Sequence, residues 1–368
     1  MTHTPLTYVE QLTATPTPQQ RRDEILAAPG FGKFFTDHMV TARWSRAGGW
    51  HDGRVEPYGP IALDPAAAVL HYAQEIFEGL KAYRHPDGSV WSFRPEANGE
   101  RMVRSARRLA LPELPVEDFL AGIDALVRVD QAWVPGGAEQ SLYLRPFMFA
   151  SEAFLGVRPA EEVMFVVIAS PVGSYFAGGV KPVSIWLSST YTRAAQGGMG
   201  SAKTGGNYAA SLAAQLEATA HGCDQVCFLD AVERRWVEEL GGMNLYFVHR
   251  DGRLITPELT GTILEGVTRS SILTLAEEQG LDVEERRVDI AEWRDGVTSG
   301  EITEVFACGT AAVITPVGRL MWDGGEVGAA TDEDADAFGP VAGSIRRALV
   351  DIQYGRAEDT HGWLRRLA

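Results

Sequence analysis

Gly197-Gly-Met-Gly-Ser-Ala-Lys-Thr-Gly-Gly-Asn-Tyr208 is the most unusual stretch of the chain, and the reading of everything around it starts there. It sets five glycines within ten residues around one lysine, Lys203. A nucleotide-binding phosphate loop needs glycine immediately before its lysine. Ala202 stands in that place, so the nucleoside-triphosphate reading fails at a required position. The ordinary reading of a loop lysine is a solvated side chain. Here, ordering so many glycines costs conformational entropy, which argues that the turn is kept for a purpose. A lysine that loses solvation on such a turn becomes an amine nucleophile toward an aldehyde.

Working outward, Asn207 is placed to cap a helix that carries Tyr208, Leu212 and Leu216 on one stripe, with His221 in its last turn and Gly222 just past it. Upstream, residues 171–182 hold three glycines and two prolines and read as a linker, with strand alternation resuming at Val183, Ile185 and Leu187. The chain therefore divides into an N-terminal arm (1–30), a small α/β domain (31–170), the linker, and a large α/β domain (183–368) that includes Lys203. In the small domain, Thr36–Trp44 alternates as a strand, and Asp87-Gly88 makes a hairpin turn between Leu80–Arg84 and Val90–Phe93. Helices follow from Pro95, stacking Met102, Ala106 and Leu109, and over Val116–Val129; Leu142–Phe149 and Val163–Ala169 are apolar enough for buried strands. In the large domain, strands are expected at Gln225–Leu229, Met243–Val248, Glu304–Cys308 and Ala311–Val317. Thr268 is expected to cap a helix running to Gly280, and Pro340 to open a last one with the stripe Val341, Ile345, Leu349, Ile352.

Composition narrows the function classes. The 368 residues carry 33 basic and 49 acidic side chains, a net charge of −16, which repels phosphate backbones and disfavours nucleic acid as a partner. No stretch approaches the roughly 18 apolar residues of a membrane span, and the N-terminus has no apolar signal core. Three cysteines make neither a disulfide framework nor a zinc pattern, so no metal is expected and a reducing, cytoplasmic setting is.

Several smaller constellations then gather around Lys203. In Val237-Glu-Glu-Leu-Gly-Gly-Met-Asn244, strand alternation sends adjacent carboxylates to opposite faces, so either Glu238 or Glu239 points inward. Gly266-Val-Thr-Arg269 opens a helix whose first N–H groups suit an anion. The turn in Cys308-Gly-Thr-Ala311 exposes further donors, and Arg101, Arg104 and Arg108 form a basic helical stripe. Each has an ordinary alternative: a strand end, a hydrated helix start, a solvated face. Together, an amine, a carboxylate and two anion turns suit pyridoxal phosphate, which needs an amine for its aldehyde, a carboxylate for its ring nitrogen and donors for its phosphate.

At this point the sequence resembles the branched-chain amino acid aminotransferases, of the fold-type IV pyridoxal-phosphate class. The carrying motifs are Phe31-Gly-Lys-x-Phe-Thr-Asp-His-Met39, Leu70-His-Tyr-Ala-x-Glu-x-Phe-Glu-Gly-Leu-Lys-Ala82, Asn98-x-x-Arg-Met102 and Leu142-Tyr-Leu-Arg-Pro146, then Lys203-x-Gly-Gly-Asn-Tyr208, Glu239-x-Gly-Gly-Met-Asn244, Gly266-Val-Thr-Arg269 and Cys308-Gly-Thr-Ala311. They run in order from about residue 30 to the Asp351–Arg356 tail.

The resemblance implies a two-domain α/β (α+β) fold with pyridoxal 5′-phosphate at the domain interface, and a homodimer. It implies that Lys203 links covalently to the cofactor, that Tyr208 hydrogen-bonds the ring oxygen, and that Glu239 rather than Glu238 pairs with the pyridine nitrogen. Arg101, the N–H groups of Val267 and Thr268, and Thr310 would hold the phosphate. Phe31, Tyr143, Tyr175, Gly242, Ala311 and the partner subunit's Tyr72 would line the substrate pocket, with Arg145 meeting the side-chain carboxylate of glutamate. The implied reaction moves an amino group between leucine, isoleucine or valine and 2-oxoglutarate. Two departures stand out: Ala312 and Thr315 replace a redox CxxC pair of some members, and Gly242 replaces a threonine. Within the same fold, a D-amino acid aminotransferase or an aminodeoxychorismate lyase would keep Lys203 and Glu239 but lack the Tyr72, Tyr143 and Arg145 set. A ligand-binding protein without catalysis would need no buried amine.

Overall fold

The computed structural model describes residues 5–173, 181–328 and 338–368. It divides into two compact units: Met1–Ala177 with Ala202–Gly205 and Asp351–Ala368, and Gly178–Ser201 with Gly206–Val350. Lys203 is thus grouped with the first unit, although it lies far along the chain.

The first unit is built on a nine-stranded sheet ordered Val9–Glu10, Gly49–Pro57, His38–Ser45, Glu162–Val172, Ser141–Ala150, Leu80–Arg84, Val90–Phe93, Leu364–Arg366, with Glu75–Phe77 pairing off Ser141–Ala150. Alternation along Ser141–Ala150 decides what each residue does. Leu142, Leu144 and Met148 enter the core with Phe119, Ile123 and Leu126 of the helix Val116–Val129, while Tyr143 and Arg145 take the opposite face. Leu144 is fully buried, so Leu144→Ala is expected to lower unfolding free energy by about 2–5 kcal/mol, read from a denaturant melt. An unchanged melt would mean that this strand is not in the core.

The second unit holds a nine-stranded sheet ordered Val237–Leu240, Gln225–Leu229, Val183–Leu187, Val313–Trp322, Ile302–Gly309, Asn244–His249, Arg253–Pro257, Asp282–Arg286, with Gly325–Gly328 beside Val313–Trp322. Its core includes Ile185, Leu240, Leu245, Phe247, Trp293 and Ala307.

Several local expectations are corrected. The N-terminal segment is anchored: Leu6 N–H and the Tyr8 hydroxyl donate to Asp118, and Val9–Glu10 adds a parallel strand. The helix after Lys203 starts at Gly205, so Asn207 lies inside it, donating Nδ2 to the Met199 carbonyl at 2.8 Å. Its Leu212 and Leu216 face outward, because the small Ala214 and Ala218 give the closer approach to the unit's interior. Gly266, not Thr268, is the N-cap residue of the helix Val267–Glu278. The last helix, Pro340–Gln353, buries Ile345, Leu349 and Ile352.

Candidate active site

In the first unit, the chemistry gathers under the strand Glu75–Phe77 and the turn after it. Ile76 is core, so Phe77 turns the other way, and its ring lies 4.9 Å from Lys203 Nζ and 4.8 Å from the Arg145 guanidinium carbon. The Lys203 turn is fixed by its backbone. Its N–H donates to Ser105 Oγ at 3.0 Å, its carbonyl accepts from Phe77 N–H at 2.9 Å, and the Gly205 N–H and Thr204 hydroxyl both donate to the Glu75 carboxylate. A half-buried lysine beside an aromatic face is therefore held from three sides.

Glu78 was not singled out by the sequence, yet it is fully enclosed. It takes Arg101 by two parallel contacts, Nε to Oε1 and Nη2 to Oε2, each 2.8 Å, and Asn98 Nδ2 adds a third at 2.8 Å. Burial alone would raise the Glu78 pKa. The charge and hydrogen bonds of Arg101, the charge of Lys203 and the Asn98 amide overcome it and hold the carboxyl below its ordinary range. A depressed folded pKa means that Glu78 stabilises fully above the unfolded value near 4.5 and loses that contribution as pH falls through the lower folded value. Glu78→Gln is expected to flatten the fall in stability between about pH 5 and pH 3 in denaturant melts. A slope like that of the parent would show that other carboxyls control it. Glu75, by contrast, is pushed up by burial, against the hydrogen bonds from Gly205 and Thr204 and the charge of Arg145.

Phe31, Tyr143 and Arg145 meet on the same face. The Phe31 and Tyr143 rings are 5.4 Å apart at 59°, and Arg145 Nη2 donates to the Tyr143 hydroxyl at 3.0 Å. A side chain at Gly79 would overlap that hydroxyl, which explains the glycine after Glu78. Arg101 leaves the stripe read from sequence: it is buried, whereas Arg104 and Arg108 are exposed. Tyr72 is exposed and donates its hydroxyl to the Leu155 carbonyl. Tyr175 lies outside the described residues.

In the second unit, both carboxylates of Val237–Leu240 are buried, not one. Glu238 Oε1 accepts the Thr262 hydroxyl at 2.5 Å, and burial, only partly opposed by that bond and by Arg193, pushes its pKa up. Glu239 Oε1 accepts the Leu264 N–H at 2.8 Å and faces Arg193 Nη1 at 2.8 Å. Pairing of Asn244 with Cys308 sets the Gly241-Gly242 turn beside Gly309-Thr310-Ala311, and Tyr208 lies near Gly242. The turn Thr310–Ala312 delays the expected strand to Val313, whose φ of 63° is strained for a β-branched residue. The helix Val267–Glu278 has no side-chain cap from its N-cap residue, and a Cβ on Gly266 would overlap Asn244 Oδ1, so the backbone of its first turn suits an anion.

Sequence reasoning missed Glu78, Glu75 and Arg193. The signal for Glu78 was present: one acid inside the apolar run Ile76-Phe77-Glu78-Gly79-Leu80. Arg193, in Ser188-Ser-Thr-Tyr-Thr-Arg193, follows no periodic pattern.

These groups match what known proteins share. A family model described as amino-transferase class IV matches residues 75–320. The chain belongs to this family. A probable branched-chain-amino-acid aminotransferase of Streptomyces coelicolor is 60% identical over 97% of both chains. Among solved structures, the Escherichia coli branched-chain amino acid aminotransferase superposes with a TM-score of 0.74 at 28% identity, covering 90% of this chain and 99% of that one. An enzyme of the same name from a source abbreviated "T.th.", solved with pyridoxamine 5′-phosphate, gives 0.72 at 31% identity, covering 89% and 99%. As a class IV aminotransferase the chain uses pyridoxal phosphate, and its residues fit that group: a half-buried amine, a buried carboxylate and a helix start without a side-chain cap. Among the described residues, no helix is long and apolar enough to cross a membrane.

Proposed function

We propose that this chain interconverts leucine, isoleucine and valine with their 2-oxo acids at the expense of 2-oxoglutarate and glutamate, using Lys203 as its catalytic residue. The observation that supports this most is the shared face of Phe31, Tyr143, Arg145 and Phe77, with Lys203 beside the same Phe77 ring. When bound, pyridoxal phosphate supplies the covalent acceptor for the amino group and the sink for the electron pair at the substrate Cα. Lys203 holds the cofactor through Nζ, and once released it takes the Cα proton and returns it on the other side of the transfer. Tyr208 hydrogen-bonds the ring oxygen, and Glu239 holds a proton at the ring nitrogen. Arg101, Thr310 and the N–H groups of Val267 and Thr268 bind the phosphate, Arg101 being fixed by Glu78. Tyr175, Gly242 and Ala311 complete the substrate pocket.

A homodimer, with the partner subunit's Tyr72 reaching the pocket, fits the exposed apolar group Leu70, Tyr72, Leu155 and Val157, the last 87% exposed. We place the enzyme in the cytoplasm, where its three buried free thiols stay reduced; burial raises Cys308 to about 12.

Arg145→Ala tests the dual-substrate pocket. Aromatic walls bind an aliphatic side chain by burial, but a second carboxylate there needs a cation. Losing a charge-assisted contact costs about 1.5–3 kcal/mol, so kcat/KM for glutamate is expected to fall roughly 10- to 150-fold while leucine changes only a few-fold. Equal losses for both substrates would assign Arg145 to the shared α-carboxylate and remove the reading.

A further inference from the structure

Arg193 is as enclosed as the carboxylate it meets, its side chain 1% exposed against 2% for Glu239. Its Nη1 makes two contacts, 2.8 Å to Glu239 Oε1 and 2.9 Å to the Thr262 carbonyl. Thr262 is gripped from its other end by Glu238, through the hydroxyl. The guanidinium Nε has no hydrogen-bond partner. A buried arginine with an unsatisfied donor is a poor device for stability alone, since apolar residues of similar volume pack at least as well. Its other effect is electrostatic: a cation within about 4 Å favours the ionised form of a carboxyl. The same contact restricts Glu239, because Oε1 must satisfy both Arg193 and the Leu264 N–H.

We infer that Arg193 is a positioning residue for the class IV reaction, keeping Glu239 ionised and its carboxylate fixed where the pyridine nitrogen of the cofactor needs a counter-charge. The inference rests on the reading of Glu239 proposed above. Arg193 itself touches neither cofactor nor substrate in this account. A purely structural Arg193 would serve only to tie down Thr262, and then charge at position 193 would not matter to the cofactor's electronics.

The test uses the holoenzyme and two readouts: the pH titration of the bound cofactor's absorbance, and the single-turnover rate of the leucine half-reaction. Arg193→Met and Arg193→Gln are expected to shift the titration midpoint by about one pH unit or more and to slow the half-reaction roughly 100-fold, with KM for leucine within about three-fold. Arg193→Lys restores the midpoint toward that of the parent, since an ammonium supplies both charge and donors. If Met at this position prevents cofactor loading, the Gln variant, which keeps amide donors without charge, bears the same expectation. Parental midpoints in the neutral variants overturn the inference, whatever happens to activity or melting temperature. Glu239→Gln is titrated alongside. An unmoved midpoint there overturns the Glu239 reading, whereas a midpoint moved by Glu239→Gln but not by either neutral Arg193 variant overturns only the role of Arg193.

Discussion

Lys203→Ala is expected to reduce transamination by roughly 10⁴-fold or more while leaving the fold intact. The change removes a covalent attachment and a general base from one position, and proton transfer by a placed side chain alone is worth about 10²–10⁴-fold. The structural cost is small for a definable reason. What anchors the turn is backbone, through the Lys203 N–H to Ser105, the Lys203 carbonyl to Phe77 and the Gly205 N–H to Glu75, and alanine keeps all three. The one electrostatic loss falls on Glu78, which keeps its paired contact with Arg101 and the Asn98 amide. Far-ultraviolet circular dichroism and the denaturation midpoint are expected to stay near those of the parent. Turnover within ten-fold of the parent would remove Lys203 from the chemistry.

The same region shows what a sequence reveals and what it withholds. The hairpin Leu80–Arg84 to Val90–Phe93 and the helix Val116–Val129 were legible to the residue, because turn glycine and apolar spacing act locally. The strand Gly49–Pro57 was not, since Gly-Trp-His-Asp-Gly-Arg lacks alternation and is held by pairing with His38–Ser45 on one side. Leu212 and Leu216 misled for a related reason: periodicity marks an apolar stripe but does not say whether the same chain covers it. At the candidate site, the glycines and Lys203 stood out because their cost has no local explanation. The partners that hold them are distant in sequence. Ser105 lies 98 residues from Lys203, and Glu75 lies 130 from Gly205. Such pairs leave no mark on spacing, and only the family resemblance selected Glu239 over Glu238.

That selection is tested by comparing Glu239→Gln with Glu238→Gln. On the proposed reading, Glu239→Gln keeps the cofactor bound but slows the Cα proton step about 100- to 1,000-fold, because a neutral amide cannot hold a proton on the ring nitrogen. Packing should survive in part. A glutamine oxygen can still accept from Leu264 N–H and Arg193, though with a neutral partner the buried guanidinium loses roughly 1.5–3 kcal/mol of charge-assisted bonding. Stability therefore falls measurably but not to unfolding. Glu238→Gln meets a different environment. Burial already pushes the Glu238 carboxyl toward its neutral form, and its contact is with a hydroxyl that an amide oxygen can equally accept. Its half-reaction rate is expected to stay within about five-fold of the parent, the ordinary range for a change that replaces one neutral acceptor by another. Leucine single turnovers of both variants, with cofactor occupancy measured beside them, decide between the two acids. Should Glu238→Gln be the slow one, the carboxylate that serves the ring is the one beside Thr262, and Arg193 then guards the wrong neighbour.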